Sequence, residues 1–390
     1  MSPLQIAHSV LLLLAHVPIS LANLDDGGGA YRNLLQEPQA PVAHQVNHLS
    51  SEGGFNGGVR DVHGEAATAS TLSLAEDTGV PSMSAADIVQ NTSPPGRDLS
   101  HLSVLQNARP EDVKLEPYPY ILLKNALPKE IYDHLAKTYP NDKTLFSISG
   151  KTTLMKPNFR YDIRSAQTMV NRDKLDPMWI DFVQYHISPA FYQDVVRVFG
   201  PALEKRRPDF IKDGTVHNLM EKKSTMRYAE DQSTDLTMDC QVGMNSPVSR
   251  KSSVRGPHHD TPGELYGGLL YFRNPADKSI GGDLQVLACK GGKCKEVPES
   301  EKRKRGMSTS RNHEHFDYRD LTVAATAKYK ANTYVMFINT LSSVHAVTPR
   351  HPTKFSRKLV NFVAEMVKRN PDGSVFIKPN NAAKLAGKHN

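Results

Sequence analysis

From about residue 236 onward, short apolar runs alternate with polar punctuation. The runs at 236–244, 266–272, 283–288, 333–337, 344–347 and 358–363 are rich in Val, Leu, Tyr and Phe, and Gly, Pro, Asn and charged residues separate them. Short strands with turn residues between them and no long intervening helix predict an antiparallel sandwich or jelly roll. Upstream the period lengthens. Residues 117–123 read as a first strand, and a helix follows from about Pro128, with Ile131, Leu135 and Tyr139 along one face. Residues 176–205 carry two more helical patterns, Trp179/Phe182/Val183/His186 and Phe191/Val195/Val198/Phe199, parted by Ser188 and Pro189. The expected fold is mainly β, with an α-helical buttress N-terminal to the strands. His186 falls on the apolar side of its helix and reads as a core histidine.

The ends of the chain lack this patterning. Residues 1–22 hold no Asp, Glu, Lys or Arg, include the apolar run Val10–Leu14, and close on Ser20-Leu21-Ala22. That is the outline of a signal peptide or signal anchor, although His8, His16 and Pro18 interrupt it. No other stretch is apolar enough to suggest a membrane span. Residues 23–110 have no lysine, four arginines and ten acidic residues, a net of −6, and only Tyr31 and Phe55 are aromatic. Such a segment cannot bury enough apolar surface to offset its ordering entropy, so a disordered acidic stem is expected there. It carries one glycosylation acceptor, Asn91-Thr92-Ser93, directly before Pro94.

Against the chain's net +7, the portion from 111 carries +13. Its basic residues are spread along the domain, and the densest cluster, 302–305, sits in a charged insertion at 297–319. No nucleic-acid motif accompanies them, so no nucleic-acid partner is expected. The folded domain is expected over 111–370, with a basic tail at 371–390. Of three cysteines, Cys289 and Cys294 flank a Lys-Gly-Gly-Lys turn that would set their thiols opposite one another. They would bridge in an oxidising lumen and stay as inert thiols in cytosol. The N-terminus favours the secretory pathway, with a cytoplasmic location as the alternative. Cys240 lies in a strand-like run and reads as a packing residue.

The candidate chemistry lies at His258-His259-Asp260 and His345. On an extended segment, residues i and i+2 face the same way, so His258 and Asp260 can reach one ion while His259 turns away. His345 lies 85 residues after Asp260, inside another strand-like run, far enough for the chain to cross the sandwich and return. Two imidazoles and one carboxylate form the facial triad of non-haem iron, and the same ligands with a water would also suit zinc. His315-Phe316-Asp317 repeats the spacing but sits in the charged insertion, and His313, His315 and His351 read as solvated loop histidines. Arg357, twelve residues beyond His345, starts the last strand-like run. A guanidinium there can hold a carboxylate in a rigid two-bond geometry. Read blandly, it is a solvent-facing strand end, and Lys354, Arg350 and Lys358 are its rivals.

The ordered set resembles the iron(II)- and 2-oxoglutarate-dependent oxygenases, most of all their prolyl-4-hydroxylase-like branch. It comprises His-x-Asp, Leu-Leu-Tyr-Phe-Arg, GGDL at 281–284, Tyr-Val-Met-Phe, the distal histidine and a strand-entering arginine. The resemblance covers roughly 115–366. It implies a double-stranded β-helix core, with His258, Asp260 and His345 as iron ligands. Arg357 would bind the distal carboxylate of 2-oxoglutarate and Tyr271 would support it, with Phe272 a competitor for that slot. The spacing from His345 to Arg357 is longer than the family pattern, and Lys354 stands nearer the usual offset. The implied cofactors are Fe(II) and 2-oxoglutarate, with ascorbate as auxiliary reductant, and the implied partners are dioxygen and a primary substrate. The expected activity is hydroxylation of a peptidyl residue such as proline. The alternatives are an oxygenase of a small molecule, lipid or glycan, and a non-catalytic jelly roll that binds a partner.

Overall fold

The computed structural model describes residues 97–150, 157–211, 216–229, 232–292, 294–304 and 315–371. By contacts the chain divides into Met1–Thr71 and Leu72–Asn390, and every described residue belongs to the second unit. The expected signal segment, nearly all of the acidic stem including Asn91, and the tail beyond 371 lie outside the described residues. No helix among the described residues is long and apolar enough to cross a membrane.

Among the described residues, ten strands run in chain order: β1 (Tyr120–Lys124), β2 (Arg160–Ile163), β3 (Ser224–Met226), β4 (Leu236–Asn245), β5 (Glu264–Tyr271), β6 (Leu284–Cys289), β7 (Leu321–Ala327), β8 (Thr333–Ile338), β9 (His345–Val347) and β10 (Arg357–Met366). A seven-stranded sheet has the order β1-β8-β5-β10-β4-β2, with β3 paired to β4, and a three-stranded sheet has the order β7-β6-β9. Every pairing is antiparallel except β3 with β4. The two sheets share a buried layer in which Leu269, Tyr271, Val335, Phe337 and Leu359 of the large sheet meet Leu284, Val286 and Ala327 of the small one. This is the expected jelly-roll core.

Strand alternation assigns the faces. Along β10, Val360, Phe362 and Ala364 point away from the small sheet into the main apolar cluster, with Met238, Cys240 and Val242 of β4. Helices α4 (Pro177–His186) and α5 (Pro189–Arg206) cover that face, bringing Trp179, Phe182, Phe191, Val195 and Phe199 to it. They follow the shorter helices α1 (Lys129–Lys137), α2 (Asp142–Ser149) and α3 (Ser165–Val170). Asp176 and Ser188 cap α4 and α5 by accepting from the backbone of Met178 and Phe191, and a proline opens each helix. His186 is buried in this layer, bonded through Nδ1 to the Phe182 carbonyl, and burial lowers its pKa to about 3.

Two expectations need correction. The folded part begins upstream of 111, because Leu102, Val104, Leu105 and Ala108 are buried in the main cluster; this short apolar patch was hidden by the polar average of the stem. The insertion at 297–319 contains helix α6 (Glu299–Lys304), and its far end is not solvated: His315 and Phe316 are buried. Cys289 and Cys294 are joined by a disulfide, and Cys240 is free and buried.

Candidate metal centre

Pro257 and His258 run antiparallel to β9, and the backbones of His258 and His345 exchange two hydrogen bonds of 3.0 Å. Their imidazoles therefore start from facing positions, with ring centres 4.2 Å apart. Asp260, two residues on, reaches the same point: Oδ1 lies 3.5 Å from His258 Nε2 and Oδ2 lies 3.4 Å from His345 Nε2. One ligand atom from each of the three falls within 4.8 Å of the others. His259 turns away, as the alternation required, and packs on Phe316 at 4.7 Å. Asp317 takes no part here, since it caps the backbone of Arg319 and pairs with its guanidinium.

The orientation of each ring is fixed from behind. His258 Nδ1 meets the Gly256 carbonyl at 2.7 Å and His345 Nδ1 meets the Ser343 carbonyl at 3.0 Å. A carbonyl can only accept, so the ring hydrogen sits on Nδ1 and each Nε2 presents a lone pair to the common point. Burial, then the neighbouring His345, brings the His258 pKa down to about 3; burial also lowers that of His345, against the pull of Asp260. Burial would raise the Asp260 carboxyl, but His345, His258 and Arg255 outweigh it and hold it below the usual carboxylate range. Two neutral imidazoles and one carboxylate are what a divalent cation of intermediate softness requires, so the residues present fit a resident iron.

The triad faces a cavity of about 440 Å³ between the sheets. Its floor is the inner face of β10, which presents Arg357, Leu359, Asn361, Val363 and Glu365 at alternate positions. Gly267, opposite Val363, lies beneath the triad: a β-carbon there would sit 3.0 Å from the Phe337 ring and 3.5 Å from Asp260 Oδ2. The triad thus lies between the two ends of β10, with Arg357 at one end and Glu365 at the other.

Arg357 is 2% exposed. It donates from Nε to the Gly282 carbonyl at 2.8 Å, from Nη1 to Asn245 Oδ1 at 3.1 Å and from Nη2 to the Tyr271 hydroxyl at 3.1 Å. None of these partners is a carboxylate. Its rivals are placed otherwise. Lys354 is exposed, Arg350 spends its donors on the Ser246 and Phe355 carbonyls, and Lys358 lies over the Tyr139 ring. Tyr271 holds Arg357 but is not part of the cavity wall, while Phe272 points to the helical face against Tyr132. The GGDL run places Gly282 at φ +82°, where a side chain would meet Arg357 Cδ at 3.2 Å.

Sequence reading missed several lining residues. Toward the Glu365 end the cavity is bordered by Arg227, Arg255 and Glu264, while Arg160 and Gln241 line its β2–β4 side. Arg227 pairs with Glu365 at 2.7 Å and approaches Asp239 at 3.7 Å, while Arg255 Nη1 lies 3.5 Å from Asp260 Oδ1. Glu264 makes no ion pair or side-chain hydrogen bond with any described residue. Burial, reinforced by Asp260 and Glu365, pushes its pKa up to about 8. None of these carries a local motif; strand register places Arg160, Gln241 and Glu264, and the segments flanking the strands bring Arg227 and Arg255.

No protein-family model matches the chain, and no curated protein is found similar to it. Among solved structures it is similar to a prolyl 4-hydroxylase of Phytophthora capsici, at 13% identity and TM-score 0.35 over 76% of this chain and 75% of that one. A Pseudomonas putida prolyl-4-hydroxylase matches at 12% identity and TM-score 0.31, over 70% of this chain and 100% of the other. A rice dioxygenase for auxin oxidation matches at 12% identity and TM-score 0.32, over 67% and 77%.

Proposed function

We propose that this chain is an iron(II)- and 2-oxoglutarate-dependent dioxygenase that hydroxylates a polar substrate, a peptidyl residue such as proline or a polar small molecule. The observation that carries the reading is the pairing, in one cavity, of a His-Asp-His cluster with a buried arginine that has no carboxylate partner among the described residues. Burying an uncompensated guanidinium is costly, and a carboxylate ligand would compensate it.

His258, Asp260 and His345 would hold the iron, and Arg357 would hold the distal carboxylate of 2-oxoglutarate. Together with dioxygen these groups supply oxidising chemistry that yields succinate, carbon dioxide and one hydroxyl group on the substrate. The protein's own part is orientation. The Gly256 and Ser343 carbonyls fix the two imidazoles, Tyr271 and the Gly282 carbonyl fix the guanidinium, and the apolar layer of Leu269, Leu284, Phe337 and Leu359 limits water. The wall beyond the triad is rich in Arg, Gln, Asn and Glu, which favours a substrate with hydrogen-bonding or charged groups over a lipid. The Cys289–Cys294 disulfide, with the apolar run Val10–Leu14 and its Ser20-Leu21-Ala22 ending, supports an oxidising, secretory compartment.

The test is anaerobic titration of the purified protein with Fe(II) and 2-oxoglutarate, followed by admission of oxygen in the presence of a lysate and mass spectrometry. Succinate release with products that gain one oxygen atom is expected. Absence of saturable 2-oxoglutarate binding by the iron-loaded protein would reject the reading, including its non-catalytic form with a relic of the same site.

A further inference from the structure

Asn245 ends β4 on the cavity wall, between Arg357 of β10 and Arg160 of β2 as its Cα partners. It is 1% exposed. Its Oδ1 accepts from Arg357 Nη1 at 3.1 Å, and that contact fixes the orientation of the amide, because a guanidinium has only donors to offer. The amide nitrogen is thereby turned away from Arg357. Nδ2 is buried and meets no acceptor among the described residues. Buried amide nitrogens are almost always satisfied, so one left unsatisfied in a residue of the cavity wall, beside an uncompensated guanidinium, points to an acceptor that arrives with a ligand.

Resting on the function proposed above, we propose that the Asn245 side-chain amide is a second direct donor to the distal carboxylate of 2-oxoglutarate, acting beside Arg357. One carboxylate oxygen would take the free Arg357 hydrogens and the other the Asn245 Nδ2 hydrogen. Asn245 thus has two roles joined in one group: its oxygen steadies the guanidinium and its nitrogen reads the ligand. A co-substrate lacking the distal carboxylate would gain nothing from it.

The experiment is calorimetric titration of the anaerobic Fe(II)-loaded protein, and of a Zn(II)-loaded form, with 2-oxoglutarate and with 2-oxopentanoate, which has the same chain length and no distal carboxylate. Asn245→Ala is expected to weaken 2-oxoglutarate about ten- to a hundredfold, the range for losing one hydrogen bond to a charged group, and to leave 2-oxopentanoate unchanged. Asn245→Asp keeps an oxygen for Arg357 Nη1 and replaces the donor with an acceptor, so it is expected to fold and to lose 2-oxoglutarate at least as severely. Unchanged 2-oxoglutarate affinity in Asn245→Ala would overturn the inference while leaving the proposed function intact. Equal weakening of both ligands would also overturn it, since that is the signature of a residue that only supports the wall. If the wild-type protein binds no 2-oxoglutarate, the functional reading fails, and this inference with it.

Discussion

The Tyr271 hydroxyl accepts a hydrogen bond of 3.1 Å from Arg357 Nη2, and the same guanidinium lies over the Tyr271 ring at 4.9 Å. Tyr271 is the Cα partner of Leu359, two residues along β10 from Arg357, so their meeting depends on the register of β10 with β5. A guanidinium held on one edge by a phenol and on another by a backbone carbonyl has little freedom left. Its remaining hydrogens therefore point in a fixed direction.

Removing that fixed charge should act on co-substrate binding before anything else. Arg357→Ala is expected to raise the 2-oxoglutarate concentration needed for half-saturation at least a hundredfold, because the ligand loses a two-bond ionic contact of about 3 kcal/mol or more. Tyr271→Phe should cost only several-fold, since the guanidinium remains and loses one brace. Lys354→Ala should change nothing, as that side chain is exposed. Saturation curves for the three variants decide the matter; a large shift in the Lys354 variant alone would reassign the carboxylate site.

The metal reading makes a separate demand. Asp260 contributes the one negative charge among the three ligands, and both imidazoles are already neutral through burial. Asp260→Ala should therefore lower metal affinity by two orders of magnitude or more, with the far-ultraviolet circular dichroism of the metal-free protein unchanged. His258→Ala should do the same. Equilibrium dialysis against Fe(II) under anaerobic conditions, or against Zn(II), reads this directly. Wild-type metal content in either variant would remove these residues from the site.

Gly281 and Gly282 carry a structural prediction. Both sit at positive φ, +89° and +82°, and a β-carbon on Gly281 would lie 1.9 Å from the Pro349 carbonyl oxygen. Gly281→Ala must shift the backbone as well as accept a strained conformation, so a loss of about 2–4 kcal/mol is expected, read as a lower Tm. The nearest atoms to a β-carbon on Gly282 are side-chain atoms of Arg357 and Arg350, so Gly282→Ala should cost less in Tm but weaken 2-oxoglutarate binding through Arg357.

What the sequence made legible was whatever depends on local spacing. The alternation that aims His258 and Asp260 together and turns His259 aside is a property of two peptide units, and so is the strand start at Arg357. The amphipathic helices were readable for the same reason. The strands that escaped notice carry weak signals: β7 reads Leu-Thr-Val-Ala-Ala-Thr-Ala with its centre exposed, and β2 is four residues long. His315 was misjudged because its neighbours are charged, whereas backbone pairing with His258 buries it. Asn245 and Glu264 reach the cavity through cross-strand register, and Arg227 and Arg255 from chain flanking the strands, joining segments as much as 138 residues apart. Register is set by the whole sandwich, and no window of the sequence holds it.

Glu264 supplies a prediction whose sign follows from its pKa. Its folded-state value, about 8, stands above the 4.5 of an unperturbed glutamate. A group whose folded pKa is raised contributes stability that is fully present below the unfolded value and is lost as the pH rises through the folded value. The metal-free protein should therefore lose stability between about pH 5 and pH 9 in part because this carboxyl must ionise beside Asp260 and Glu365 with no ion pair of its own. Glu264→Gln keeps the shape and removes the ionisation. Its Tm should match the wild type near pH 5 and exceed it progressively toward pH 9, and that divergence is the measurement. A constant difference across the range would mean that Glu264 is not protonated in the folded protein, and that its carboxylate already has a compensating charge.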